Sequence, residues 1–326
     1  MSKKIKFYGP QIEFDEWLEP GFTEPNSVVR KFETPSELEE PEADYAPSHR
    51  LYYLSFGSGS SGNCSYVGSE KGGILIDAGI KPDDVELMLS SNGVGMNHVK
   101  AILLTHDHTD HVKYVYQFLR RHKHIRLFCT NRIINGLLRR HSISKRIREY
   151  HTPIFKEIPF KVIDFEVTAF EVPHDGSDNM GFHLSLGDKT FVLATDMGEI
   201  SSRADHYIRK ANYLVIESNY DSEMLRNGSY PEYLKSRIAN SNGHMGNHQT
   251  AEFLSRIITP ELRFIFLCHL SKDNNLPDKA LEAVRTALEA IGKKVGNAAE
   301  TLDDRMADVQ LMALPRYQPT RWFVFR

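Results

Sequence analysis

The chain has 326 residues, 40% of them apolar, and a formal net charge of −3. That apolar fraction builds a substantial core and excludes a disordered chain, and no run of about 18 apolar residues is present to cross a membrane as a helix. Cys64, Cys129 and Cys268 are far apart and form no C-x-x-C pair, which excludes a disulfide framework and a thiolate zinc site; reduced, buried thiols are expected.

The first residues include basic ones but no apolar stretch follows them, so no secretory signal is expected, and the protein is expected in the cytoplasm and away from membranes. Residues 1–50 hold six of the fifteen prolines, and eleven Asp and Glu against six Lys and Arg. Such a composition buries too little apolar surface to order itself. It is read as an acidic, proline-rich extension ahead of a folded domain at 51–326, with Trp17 and Phe22 as its candidate anchors.

The folded part opens with a strand at Leu51 to Phe56, then breaks at Gly57-Ser58-Gly59-Ser60-Ser61-Gly62-Asn63-Cys64. The backbone N–H groups of this loop, with Ser58, Ser61 and Asn63 as added donors, suit an anion. A tight hairpin between strands is the competing reading, and no Gly-Lys-Ser/Thr follows to make a Walker A loop. Next come a strand Gly73 to Asp77, a helix Pro82 to Leu89 and a strand Val99 to Leu104 that delivers Thr105-His106-Asp107-His108-Thr109-Asp110-His111. A helix is predicted over Val112 to His122, a strand over Ile125 to Cys129 and an amphipathic helix over Asn131 to Arg140. Arg120 to Arg148 holds ten Lys and Arg and no acidic residue, which is either a solvated helix face or a footprint for a polyanion.

Further strands are predicted at Phe160 to Val172, ahead of His174; at Gly181 to Leu186 and Thr190 to Ala194, a hairpin around Gly187-Asp188 ahead of Asp196; at Tyr213 to Ile216, ahead of Glu217-Ser218-Asn219; and at Arg263 to Cys268, ahead of His269. A helix is expected from His248 to Ile258 with Asn247 as N-cap, another from Pro277 to Ala290, and a last strand from Trp322 to Phe325.

Five apolar strands thus end in Asp77, His106, His174, Asp196 and His269, which suggests one site gathered along a sheet edge, where α/β proteins place their chemistry. Five titratable groups packed into 106–111 are expensive to bury unless an ion pairs with them. Two ions can be accommodated: His106, His108 and His174 on one, Asp110, His111 and His269 on the other, with Asp196 between them. Open positions for water mark such a site as catalytic, and a shared hydroxide is the expected nucleophile. Asp77 suits a supporting role, accepting from the far nitrogen of a ligand histidine. All-His/Asp ligation favours zinc, with manganese compatible.

This motif order, a strand-ending Asp, His-x-His-x-Asp-His, a later His, a later Asp and a final His, resembles the metallo-β-lactamase superfamily from Leu51 to about Leu270. The resemblance implies an α/β fold, an αββα sandwich of two mixed β-sheets flanked by helices, and metal-dependent hydrolysis. Ser58 to Asn63, Glu217 to Asp221, Gly228 to Ile238, Gly243 to Asn247 and His269 to Ser271 are similar to the YycJ (WalJ) family, which implies a DNA nuclease. Two departures stand out: Cys64 replaces the more usual small residue after Gly62-Asn63, and the acidic extension lies outside the pattern.

The leading expectation is therefore a two-metal phosphodiesterase, a 5′ to 3′ DNA exonuclease in which metal-bound hydroxide attacks the scissile phosphate. Asp110 and His244 are its candidate catalytic residues. Glu217 is a candidate to orient His244, while Asn219 and Asn247 join the loop residues as candidate substrate contacts; a helix start at Asn247 can clamp phosphate. Asp196 and His269 are 73 positions apart, too close for a large inserted cap, so an open site is expected. The rival is an ester or thioester hydrolase like the glyoxalase II or lactonase branches, which would not need His244 or the Ser58 to Asn63 loop. A noncatalytic binding module is disfavoured by the complete ligand set.

Overall fold

Gly73–Ile76, Tyr213–Glu217 and Phe264–Cys268 are nearly continuous apolar runs because both faces of these central strands are covered. The computed structural model describes residues 49–300 and 306–326, so nearly all of the expected extension, Trp17 and Phe22 included, lies outside the described residues. The first six strands are β1 (Leu51–Gly57), β2 (Cys64–Gly68), β3 (Gly73–Ile76), β4 (Val99–Leu103), β5 (Arg126–Cys129) and β6 (His151–Pro153). They form one sheet in sequence order. The next eight build a second sheet: β7 (Phe160–Val162), β8 (Phe165–Glu171), β9 (Met180–Leu186), β10 (Lys189–Ala194), β11 (Tyr213–Glu217), β12 (Phe264–Cys268), β13 (Val295–Asn297) and β14 (Val309–Ala313). The last strand, β15 (Phe323–Phe325), returns to pair antiparallel with β1. Both sheets are mixed: β3 to β6 run parallel, as do β10, β11, β12, β14 and β13, and the remaining pairs are antiparallel.

Residue alternation assigns each strand's two faces. Phe191, Leu193, Tyr213, Val215, Phe266 and Cys268 belong to the core shared with the first sheet, while Val192, Ala194, Leu214, Ile216, Ile265 and Leu267 belong to a second core. Aromatic rings join the sheets: Tyr53 lies 5.0 Å from Phe191 and 4.9 Å from Phe266 between ring centroids. The helices in chain order are α1 (Pro82–Ser91), α2 (Thr109–Val112), α3 (Val115–Arg121), α4 (Asn131–Arg140), α5 (Ser202–Ile208), α6 (Ser222–Asn227), α7 (Glu232–Ile238), α8 (Asn247–Ile257) and α9 (Pro277–Ala290). α1, α3 and α4 add Val85, Leu89, Phe118, Ile133 and Leu137 to the first core; α5, α8 and α9 add Ile208, Leu254, Val284 and Leu288 to the second. The architecture is an αββα sandwich. No helix among the described residues is long and apolar enough to cross a membrane.

Three elements differ from the sequence expectation. The helix predicted over Val112 to His122 is divided into α2 and α3, because the Tyr114 N–H is taken at 2.9 Å by the Ala78 carbonyl and leaves the helical ladder. The strand predicted over Phe160 to Val172 is a hairpin that turns at Ile163-Asp164, with Ile163 at φ 61°. Asn247 is the first residue inside α8; Gly246 is the N-cap, and its N–H is satisfied at 2.8 Å by the Gln249 side chain.

Candidate metal centre

Parallel strands bring their carboxyl ends to one edge, and there the site forms. Asp77 follows β3, Thr105 and His106 follow β4, Asp196 follows β10, Glu217 ends β11 and His269 follows β12. Asp77, Asp196 and His269 have φ of 63°, 52° and 53°, the left-handed region that side chains avoid at a cost on the order of 1 kcal/mol each. Backbone bonds hold two of them there, Asp77 N–H to Leu103 at 2.8 Å and His269 N–H to the Ser58 hydroxyl at 2.9 Å. This turn aims the side chains off the strand ends into a shared space.

Four sets of ligand atoms lie within 4.8 Å of one another: His106, His108 and His174; His106, His111 and Asp196; Asp110, His111 and His269; and Asp196, Glu217, His244 and His269. Asp196 joins the groups, with Oδ2 3.2 Å from His111 Nε2 and Oδ1 3.1 Å from His269 Nδ1 and 3.9 Å from His174 Nε2. The donor set fits divalent ions on a structural observation: His106 Nε2 and His269 Nε2 are buried polar atoms without a hydrogen-bond partner, and each of these histidines belongs to two of the groups.

The surrounding groups fix which nitrogen faces inward. His174 Nδ1 donates at 2.9 Å to the Gly243 carbonyl, which can only accept, so its Nε2 carries the lone pair. His111 Nδ1 donates to Asp77 Oδ2 at 2.7 Å, and Asp77 in turn accepts from the Thr105 N–H and hydroxyl, both at 2.9 Å. His244 Nδ1 and His269 Nδ1 share Glu217 Oε1 at 2.7 and 3.0 Å. Asp175 Oδ1 lies 3.3 Å from His108 Nε2. Carboxylates and carbonyls behind ligand imidazoles are the usual supports of a metal site.

Residues 73–267 match the Beta-lactamase superfamily domain. The chain is 35% identical over 254 residues to a Bacillus anthracis protein named exodeoxyribonuclease YycJ, covering 78% of this chain and 95% of that one. A Streptococcus pneumoniae protein named exodeoxyribonuclease WalJ is 32% identical over 229 residues, 70% of this chain and 84% of that one. The metallo-β-lactamase fold protein YhfI from Bacillus subtilis superposes with a TM-score of 0.60 at 12% identity, covering 85% of this chain and all of that one. The chain belongs to the metallo-β-lactamase superfamily, in its YycJ/WalJ family.

As a metal-dependent hydrolase of this superfamily the chain has a cleft of about 310 Å³ lined by the candidate ligands His108, Asp110, His174, Asp196 and His269, with Ser60, Leu234, Arg237, Ile238 and His244 as further walls. A larger groove of about 650 Å³ beside α8 and α9 contains none of the clustered ligands. Of the loop residues expected to hold an anion, Ser58 and Asn63 have other partners. The Ser58 hydroxyl accepts from His269; Ser61 is exposed, and its neighbour Ser60 lines the cleft instead. Asn63 braces its own loop through Gly59 at 2.7 and 3.1 Å and reaches Asp110 Oδ2 at 3.1 Å. Asn219 is turned to His269, donating to its carbonyl at 2.7 Å. Asn247 is buried among Ser218 and Asn275, and its N–H donates to Tyr220, so the start of α8 offers no open clamp there. The basic residues of Arg120 to Arg148 are spread over α3, β5, α4 and the turn beyond, several of them paired, and none lines the cleft.

Thr105, Asp175 and Arg237 were not singled out by the sequence. Asp175 had a signal, standing directly after His174 at a strand end; Arg237 had only its place in the Gly228 to Ile238 segment. Burial and the neighbouring His111 keep the His106 imidazole well below its ordinary value and therefore neutral, ready to ligate. Burial opposes protonation of His269 too, but Asp196, with the Asp110 and Glu217 carboxylates beside it, raises it to about 10. Against the same penalty, His111 brings the Asp110 carboxyl down to about 2. His244 is raised by Glu217 despite burial. All three thiols are free and buried.

Proposed function

We propose that the protein is a phosphodiesterase acting on nucleic acid, a DNA exonuclease that degrades from the 5′ end. The observation that carries this reading is the His244–Glu217 pair. His244 lines the cleft beside the ligand cluster with its side chain 21% exposed, and a fully buried carboxylate 2.7 Å from Nδ1 favours its protonated form. A positioned acid suits departure of an alkoxide from phosphorus, and the YycJ and WalJ relatives carry the name exodeoxyribonuclease.

His106, His108 and His174 would hold one divalent ion and Asp110, His111 and His269 a second, with Asp196 between; zinc suits these ligands and manganese is compatible. Such ions, when bound, supply Lewis acidity and lower the pKa of coordinated water toward neutrality. The protein groups do the rest. Asp110, ionised and lining the cleft, accepts a hydrogen bond from the attacking water and fixes its direction. His244 Nε2 gives its proton to the leaving oxygen while Glu217 stabilises the imidazolium. Asp77 and Asp175 keep His111 and His108 turned inward.

The test is a 5′-phosphorylated duplex labelled at either end, offered with zinc or manganese, with Asp110→Ala alongside. Loss of label from the 5′ end, absent in the variant, is expected. Hydrolysis of a simple ester or thioester with no cleavage of DNA or RNA would instead establish the small-ester reading.

A further inference from the structure

The Gly228 to Ile238 segment has no part in the scheme above, yet α7 forms one wall of the cleft. α7 buries none of its residues; Leu234 and Ile238, one turn apart, are half-buried and line the cleft together with Arg237. Arg237 is the one Lys or Arg among the residues lining it, facing a space that also contains Asp110, Asp175 and Asp196. Its Nε and Nη2 both reach Asp175 Oδ2, at 2.9 and 2.6 Å, while the guanidinium side chain stays 61% exposed. The other Asp175 oxygen faces His108 Nε2 at 3.3 Å. α7 is also tied to the proposed acid, since the Ile238 carbonyl accepts the His244 N–H at 2.8 Å.

We propose that Arg237 is the residue that selects a polyanionic substrate, gripping the phosphate next to the scissile one. Asp110, Asp175 and Asp196 offset most of the positive charge that two bound divalent ions would bring to this cleft, which leaves little to attract a second phosphate. Arg237 offsets one of these carboxylates, Asp175, and still has Nη1 and its exposed edge to offer a phosphate oxygen, and a planar guanidinium suits that geometry. Asp175 aims the fork across the cleft, so the grip is preformed. Arg237 is therefore a specificity-determining residue, acting on substrate affinity and not on the proton transfers. The inference rests on the phosphodiesterase reading.

The experiment is the salt dependence of kcat/KM for a 5′-phosphorylated oligonucleotide with the metal-loaded enzyme. Each phosphate neutralised adds about 0.9 to the slope of log affinity against log salt for duplex, about 0.7 for single strands. Arg237→Gln is expected to lower kcat/KM roughly tenfold at low salt, mainly through KM, and to flatten the slope by about that one unit of contact. Arg237→Lys keeps the charge and should keep the slope while losing part of the affinity. Lys235→Gln removes a cation of α7 that is bonded to Glu232 and the Arg226 carbonyl, away from the cleft lining, and should leave the slope unchanged. If wild type cuts the oligonucleotide and Arg237→Gln retains the full slope, Arg237 serves only to hold Asp175 and the inference is overturned. If wild type cuts no oligonucleotide with either ion, the phosphodiesterase reading falls and takes this inference with it.

Discussion

Glu217 serves two histidines with one carboxylate oxygen, and the two have different tasks. Its Oε1 meets His269 at 3.0 Å and His244 at 2.7 Å, while Oε2 accepts from the Met197 and Met245 N–H groups at 2.9 and 3.3 Å. A charge so fully bonded raises the His244 pKa from 6.5 even though burial works against it. If the protonated form is the acid, activity declines as pH rises through that raised value. Removing the carboxylate charge lowers it, so Glu217→Gln should move the alkaline limb of the pH–rate profile toward lower pH. An unmoved limb would show that a different group titrates. His244→Ala should lower kcat by about 10²- to 10⁴-fold, the usual contribution of a general acid, with the bound metal content measured by elemental analysis unchanged. The His and Asp ligand candidates are readable from spacing because ion-binding chemistry restricts residue type; Thr105 is not, since its part depends on where the Asp77 carboxylate comes to lie.

Between residue and molecule, elements are held to the site by close contacts that spacing does not reveal. α4 approaches the His106–His111 turn so nearly that a Cβ on Gly136 would stand 2.1 Å from Asp107 Oδ2 and 2.6 Å from Ser177 Oγ. Asp107 is fully buried and bonded to the Ser177 N–H at 2.8 Å and hydroxyl at 2.7 Å, which ties the motif to the loop that follows His174. Gly136→Ala is therefore expected to destabilise by about 1–3 kcal/mol in chemical denaturation, despite the higher helix propensity of alanine. A stabilised variant would mean that α4 can shift without disturbing Asp107. Asn63 joins the small-residue loop to Asp110 in the same manner, so Asn63→Ala should weaken metal binding roughly 10- to 100-fold in a competition titration, the usual loss when a ligand's support is removed. Strands were legible because two buried faces demand continuous apolar residues. The Ile163-Asp164 turn was not, since the residue it places at positive φ is the β-branched Ile163, a type that avoids that region, and the α2–α3 break depends on Ala78, more than thirty positions away in the chain.

Across the whole molecule, the site is where the two sheets meet through charge: Asp77 and the 106–111 histidines come from the first, Asp196, Glu217 and His269 from the second. An ion held by both should stabilise the sandwich, by about 4 kcal/mol at a thousandfold excess over its Kd. The pH dependence of that stabilisation follows from His269, whose pKa rises from 6.5 to about 10 in the metal-free site. A raised value means that its proton contributes stability in full below 6.5 and that the contribution is lost as pH rises toward 10. His111 shifts in the same direction. His106 and His108 shift downward, so they act below 6.5 and leave this window alone. A divalent ion needs these imidazoles neutral, so loading expels the protons and strengthens over the same range in which the metal-free protein weakens. The Tm difference between zinc-loaded and chelator-treated protein is thus expected to widen from pH 6.5 upward, with protons released on zinc binding at neutral pH, measurable by calorimetry in buffers of different ionisation enthalpy. A constant or shrinking difference, or binding without proton release, would show that the ion does not displace the His269 proton and that the Asp110, His111 and His269 group is not where it binds.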